Sequence, residues 1–488
     1  MSSTEQSSPL PNGSGAAIKV DAASDANLEC ESASIRSRLS QEFGPPASPV
    51  NPSAAKSRMK IAIIGSGISG LTAAWLLHQK HEVTVFEAND YIGGHTHTID
   101  VDMDGERLTI DTGFIVYNDW TYPNFIELLK RLDVGSLATE MSFSVRCERT
   151  RLEYNGSNLN GLFAQRSNLL KPRFLRMLQD ILRFNKESVQ ILDDEREELT
   201  VDEYITQRGY SKQFSEHYLI PMGAAIWSCP PETFGRFPIR FIVEFYRNHG
   251  LLSVRNRPQW RVIAGGSKRY VDKLIAPFRG QIRIDSPVAS IVREETGVTI
   301  RATGSAGERF DHAIFACHSD QALKILGDSA TSTERDVLNE FPYQKNSAVL
   351  HWDDSVLPRS RRAWASWNYH IDGSLPQQTE KTTGSAGQSA TVTYNMNILQ
   401  RLQARRTYCV TLNRDAAIDP AKVIGRYEYH HPVYTTRRRI AQQRHAELLN
   451  QNRVSFCGAY WGNGFHEDGV NSALAVCRQL GVNAPWQQ

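Results

Sequence analysis

Lys60-Ile-Ala-Ile-Ile64-Gly65-Ser-Gly67-Ile-Ser69-Gly70 is the stretch from which the fold can be read. A mostly apolar run with strand character leads into three glycines at G-x-G-x-x-G spacing. The apolar, helix-favouring stretch Leu71 to Leu77 comes next, and then a second strand pattern, Glu82-Val-Thr-Val-Phe86, that ends on Glu87. In such a strand–turn–helix the first Gly permits the tight turn and the second lets backbone approach a pyrophosphate. The third lets the helix pack closely on the strand. The helix N-terminus offers N–H groups and a positive dipole end to phosphates. Glu87 stands 17 residues after Gly70, where a carboxylate accepts ribose hydroxyls and repels a 2′-phosphate. The spacing predicts a Rossmann-like α/β unit that binds a dinucleotide.

Composition sets the outer bounds. A chain of 488 residues is too long for one ordinary core, so two interwoven domains are expected. The net charge of +2 gives no electrostatic case for nucleic acid. The seven cysteines (30, 147, 229, 317, 409, 457 and 477) form no CxxC pair, so neither a metal site nor a disulfide frame is expected. A reduced, cytoplasmic setting is the simplest reading. No apolar stretch approaches the roughly 20 residues that span a bilayer. Residues 1–58 hold 13 Ser and 6 Pro with Phe43 as their only aromatic, so a disordered extension is expected there. The Gly-, Ser- and Thr-rich segment 372–390 reads as a flexible loop.

The residues after Glu87 bear on the cofactor. Glu87-Ala88-Asn89-Asp90-Tyr91-Ile92-Gly93-Gly94-His95 resembles the E-A-x(4)-G-G-R signature of flavin proteins in the amine oxidase and phytoene desaturase superfamily, with His95 in place of the usual Arg. Leu108-Thr-Ile-Asp111-Thr-Gly113 resembles the D-x-G element next in order. Val454-Ser-Phe-Cys-Gly458, with Gly464-Phe-His-Glu-Asp-Gly469 and a helix expected near Val470, resembles the closing flavin motif. The resemblance implies noncovalent FAD, as no Ser-Gly-Gly-Cys-Tyr attachment segment is present. It implies cofactor contacts at Gly65, Gly67, Ser69, Gly70, Glu87, Ala88, Gly93, Gly94, His95, Thr96, Gly458, Gly469 and Val470. It also implies that chain order is not domain order. Residues 59–134, 256–321 and 453–480 build the FAD-binding domain, and 135–255 and 322–452 build an interleaved α+β substrate domain.

Gly94-His-Thr-His-Thr98, Asp111-Thr-Gly-Phe-Ile-Val-Tyr117, Met222-Gly-Ala-Ala-Ile-Trp227 and Asn248-His-Gly-Leu-Leu252 look like one branch of that superfamily. Members of the branch occur beside, or fused to, cyclopropane-fatty-acid-synthase-like methyltransferases. This implies a hydrophobic, lipid-like substrate, with desaturation or double-bond isomerisation as the reaction and a lipid methyltransferase as partner. Two other functions stay open: oxidation of a C–N bond in an amine, and an FAD-binding partner protein with little turnover of its own. Amine oxidases of the superfamily commonly hold a Lys near the flavin. Here Asn346 is in phase with it and Lys345 is one place off.

His466, Glu467 and His95 are the expected acid–base groups, because loss of hydrogen from a C–C bond needs a base beside the hydride acceptor. The alternative is that Glu467 caps the terminal helix while His466 bonds the cofactor. Phe465, Trp227, Tyr117 and His249 are the expected substrate contacts, although ordinary core packing also explains an apolar group such as Met222, Ile226, Trp227, Phe241 and Phe245. His318-Ser-Asp320 reads as a helix cap and Cys229 as an apolar filler. Residues 166–186 carry six basic and one acidic residue interleaved with leucines. They read either as a solvated helix face or as a peripheral membrane contact.

Overall fold

The structure, a computed structural model, describes residues 58–193, 199–373 and 390–487. The expected N-terminal extension lies outside the described residues except for Arg58, and so does nearly all of the 372–390 segment.

Strands β1 (Lys60–Ile64), β2 (Glu82–Phe86), β3 (Ile282–Arg283), β4 (His312–Phe315) and β7 (Val454–Phe456) form a parallel sheet in the order β3-β2-β1-β4-β7. Because β1 is covered on both faces, it is apolar throughout rather than alternating. Ile61 and Ile63 pack under helices α1 (Ile68–Leu77) and α6 (His466–Gln479), while Ala62 and Ile64 face Phe310 and Phe315 on the other side. The antiparallel meander Val288–Glu294, Gly297–Ala302 and Glu308–Phe310 feeds β4.

A second sheet has seven strands. It runs from β6 (Val423–Pro432) and β5 (Tyr343–His351) through Cys409–Leu412, Val392–Asn395, Trp367–Ile371 and Phe143–Cys147 to Leu152–Asn155. Helices α3 (Pro172–Glu187), α4 (Ile220–Trp227) and α5 (Ile239–Asn248) contribute to its core. The three-stranded sheet Val116–Asn118, Trp260–Ile263 and Ser136–Ala138 lies beside α2 (Pro123–Arg131) in the chain.

Two boundaries differ from expectation. α6 begins at His466, not near Val470, because Asp468 accepts the Phe465 N–H at 2.9 Å and closes a cap four residues earlier. α3 begins at Pro172, a residue that lacks an N–H and suits a first turn, and a 3-10 turn over Arg166–Leu170 precedes it.

Candidate active site

In an open parallel sheet, ligands bind outside the carboxyl ends of the strands where the order reverses; here that point lies between β1 and β4. A Cβ on Gly65 would lie 2.8 Å from the Ala316 carbonyl oxygen, and one on Gly70 would lie 2.1 Å from the Gly65 oxygen. Both glycines are therefore required by the fold itself. Gly67 differs, since nothing lies within 4 Å of a Cβ placed there. It is the N-cap of α1 and supplies no side chain to the first N–H groups of that helix. Gly94, at φ +59°, would bring a Cβ within 3.1 Å of the Gly67 Cα, so the two glycine loops meet.

Glu87 closes this end. Its Oε2 accepts the Ser66 N–H at 2.9 Å and the Ser66 hydroxyl at 2.5 Å, and its Oε1 accepts the Asn89 N–H at 2.9 Å. The Ser66 hydroxyl in turn accepts the Gly93 N–H at 3.2 Å. Ser66, an unassigned position of the glycine motif, thus ties both loops to the carboxylate. Ala88 comes next, on the surface.

The N-terminus of α6 meets that of α1. A Cβ on Gly469 would lie 2.6 Å from Ile68 Cγ2 and 2.9 Å from Ser69 Oγ, so this glycine serves helix-on-helix contact. Val470 faces the core, one turn inside the helix. The N–H groups at the open end therefore belong to His466, Glu467 and Asp468, not to Val470. Gly458 donates its N–H to Ser472 Oγ at 2.9 Å. His466 stacks on Phe114 at 3.4 Å between ring centroids. Its Nε2 lies 3.0 Å from Thr96 Oγ1 and 3.1 Å from the Tyr270 hydroxyl. Burial holds this imidazole well below its usual pKa, hence neutral.

Glu467 does not cap its own helix. Its Oε1 accepts the Asn124 N–H at 3.0 Å and the Asn124 side-chain amide at 3.1 Å, while its Oε2 accepts the Phe125 N–H at 2.8 Å. It closes the N-terminus of α2. Burial raises its pKa to about 7 and that of Asp468 to about 6.

His95 stands at the edge of a group of rings. Its centroid lies 5.2 Å from Tyr429, 5.5 Å from His431 and 6.1 Å from His318. A hydrogen bond to the His430 backbone partly offsets the burial that lowers its pKa to about 4. His318 is the N-cap of the helix Ser319–Leu326, as the sequence suggests, but its ring also stacks on Tyr343 at 4.2 Å. Register explains the gathering. Asn346 is opposite Tyr429 and Gln344 opposite His431, so these four share one face of the β5–β6 pair. Asn346 Nδ2 lies 2.9 Å from His431 Nδ1. Lys345 is on the opposite face, exposed, and pairs with Glu428.

Phe465 begins an aromatic wall, a run of ring contacts that leads into the hydrophobic core beside the seven-stranded sheet, where Trp227, Phe245 and Tyr434 are buried. Phe465 stacks on Phe245 at 5.4 Å, and Phe245 lies 4.8 Å from Trp227 and 3.8 Å from His249. Phe241 lies 5.3 Å from Trp227 and stacks on Tyr434 at 4.9 Å. His249 Nδ1 is 2.9 Å from the Phe245 carbonyl, and burial lowers its pKa to about 4. Tyr117 is not part of this wall: it packs on Phe125 at 5.3 Å and Tyr122 at 6.1 Å, inside the core beneath α2.

Residues 68–396 match the family described as flavin containing amine oxidoreductase. The chain belongs to that family. A 1-hydroxycarotenoid 3,4-desaturase of Flavobacterium sp. (strain P99-3) is 42% identical over 74 residues, which span 15% of this chain and 14% of the desaturase. Among solved structures, the CLA-producing fatty acid isomerase from P. acnes superposes with a TM-score of 0.62 at 15% identity, over 88% of this chain and 100% of that one. Cyclohexylamine oxidase from Brevibacterium oxydans IH-35A superposes with a TM-score of 0.57 at 18% identity, over 87% of this chain and 100% of that one. These two likenesses concern the fold.

The residues present fit the FAD of this flavoprotein family. The open space over Gly67, the uncapped α1 N-terminus and the Glu87 carboxylate suit a diphosphate and a ribose. The first turn of α6 suits the electron-rich edge of a flavin ring. Ser66, Phe114, Tyr270, Tyr429 and His431 went unmarked in the sequence. For Tyr429 and His431 the signal was there, in the alternation Tyr427-Glu-Tyr429-His-His431 of an edge-paired strand.

Proposed function

We propose that this flavoprotein oxidises or isomerises a C–C bond of a hydrophobic, lipid-like substrate. Bound FAD supplies a hydride acceptor at N5. The aromatic wall from Phe465 through Phe245 to Trp227, Phe241 and Tyr434 carries the reading. It is bordered by His249, which burial holds neutral, and none of these six side chains is an acid that could pair with an ammonium group. Phe465 lacks a hydroxyl and Lys345 points to solvent, two further departures from an amine oxidase.

Among the three titratable candidates, His95 is the base we favour. Glu467 is committed to capping α2, and His466 Nε2 is already shared by Thr96 and Tyr270. Burial keeps His95 neutral at physiological pH, so a ring nitrogen can take a proton from substrate. We assign Phe465, Trp227 and His249 to the substrate wall, and Gly65 to Gly70, Glu87, Gly93 to Thr96 and the α6 N-terminus to the cofactor. The motifs Gly94-His-Thr-His-Thr98 and Asn248-His-Gly-Leu-Leu252 support membership of the branch associated with methyltransferases, and we propose a lipid methyltransferase as a partner in the cytoplasm.

Anaerobic reduction of the flavin across a panel of acyl chains and amines, with mass-spectrometric identification of products, tests this. Bleaching by acyl chains, or an isomerised acyl product with the flavin left oxidised, supports the lipid reading, and bleaching by amines alone overturns it. Flavin that nothing reduces, with a methyltransferase co-purifying, points to a partner protein of low turnover.

A further inference from the structure

The surface around α3 is unlike the rest of the molecule. Eleven large apolar side chains are exposed among the described residues. Five of them, Leu159, Leu169, Leu170, Leu175 and Leu182, fall within residues 159–182. Leu170 is 87% exposed and Leu182 61%. The helix does not need them for seating. Its inner face buries Phe174, Met177 and Phe184, with Phe184 against Phe214 at 5.5 Å and Phe174 against Tyr154 at 5.7 Å. Leu175 and Leu182 are two turns apart, on one outer stripe that continues to Lys186. Single exposed leucines are ordinary, but a group of them is not.

Charge identifies what covers the group. Of the two acids on α3, Asp180 is buried and already engaged by Arg176 at 3.4 Å, Arg183 at 3.8 Å and the Ser211 N–H at 2.9 Å, and Glu187, the last residue, lies 3.8 Å from Arg183. Arg173 and Lys186 are exposed and have no acidic partner among the described residues. We propose that this surface docks the protein peripherally on a bilayer containing anionic phospholipid. Leu169, Leu170, Leu175 and Leu182 enter the headgroup boundary, and Lys171 and Lys186 meet lipid phosphates. A second copy of the chain is a poorer occupant, since a two-fold interface sets the same cations against each other. The proposal concerns location on a surface and stands whether or not an acyl chain is the substrate.

Co-sedimentation of the full-length, FAD-loaded protein with phosphatidylcholine vesicles, with and without phosphatidylglycerol, tests it. Binding is expected only with phosphatidylglycerol and is released by salt. Leu170→Glu with Leu182→Glu removes it, and Lys171→Gln with Lys186→Gln weakens it roughly twenty-five-fold, at about five-fold per cation. Flavin absorbance and melting report folding of each variant, and Leu170→Gln with Leu182→Gln replaces the glutamates if they unfold the protein. Binding that survives loss of the leucines overturns the proposal. So does failure to bind phosphatidylglycerol vesicles, including the case in which sedimentation velocity reveals a dimer that the leucine variants dissociate.

Discussion

The Glu467 carboxylate accepts the Phe125 N–H at 2.8 Å, so the first turn of α6 holds the first turn of α2. One acid thereby joins two helix N-termini remote in sequence, and it does so in a buried setting that raises its pKa from 4.5 to about 7.

The sign of that shift gives a pH dependence. Folded Glu467 binds its proton more tightly than unfolded Glu467. Its contribution to stability is therefore complete below about pH 4.5 and is lost as pH rises through about 7. The buried histidines, held neutral, give stability the opposite slope below about pH 6.5, so the comparison that isolates Glu467 is parent against Glu467→Gln: the parent's melting temperature relative to the variant's should decline between pH 5 and 8. Asp468 and Asp111, both raised to about 6, are present in both proteins. Glu467→Ala should cost roughly 2–3 kcal/mol by orphaning the α2 N–H groups. A Glu467→Ala protein as stable as the parent in denaturant titration would remove the cap from the account.

Two glycines three residues apart should behave oppositely. Gly67→Ala meets nothing in the protein, so the apoprotein should melt as the parent does while FAD binds roughly ten- to hundred-fold more weakly. Gly70→Ala drives a methyl to 2.1 Å from the Gly65 oxygen and should destabilise the apoprotein by about 1–3 kcal/mol. Fluorescence titration with FAD and apoprotein melting separate the two effects.

His95→Gln, compared with the parent at saturating FAD, should slow reduction of the bound flavin by substrate about a hundred-fold or more. With the His95 pKa lowered to about 4, the group is neutral and able to accept a proton above that value. Stopped-flow reduction in the parent should therefore fall only as pH drops toward 4, and should show no inflection from His95 between 6 and 8. An unchanged reductive rate in the variant would move the base elsewhere.

Phe465→Ala removes the first ring of the wall without touching the Gly67–Glu87 end. Substrate dissociation constants should rise about ten-fold for a long acyl chain, the equivalent of some 1.4 kcal/mol of lost apolar contact. FAD affinity should not change. Equal weakening for short and long chains would mean that Phe465 does not line the chain's path.

Much of the cofactor half was legible in the sequence alone. β1, Gly65, Gly67, Gly70, β2 and Glu87 lie within 28 residues, 60 to 87, so strand period, glycine spacing and the closing acid could be read as one local unit. The inward phase of Asn346 and the outward phase of Lys345 were likewise readable, because a strand alternates its faces. The illegible part depends on pairs far apart in the chain. Glu467 meets Asn124 and Phe125 more than three hundred residues away, Tyr270 meets His466 across 196, and His97 meets Tyr429 across 332. The sequence by itself determined that a dinucleotide crevice forms, because the chemistry of that turn is local. Only the tertiary structure decided which acids and imidazoles border the crevice and which are consumed as caps, because side-chain roles there are set by burial and by partners delivered from other strands.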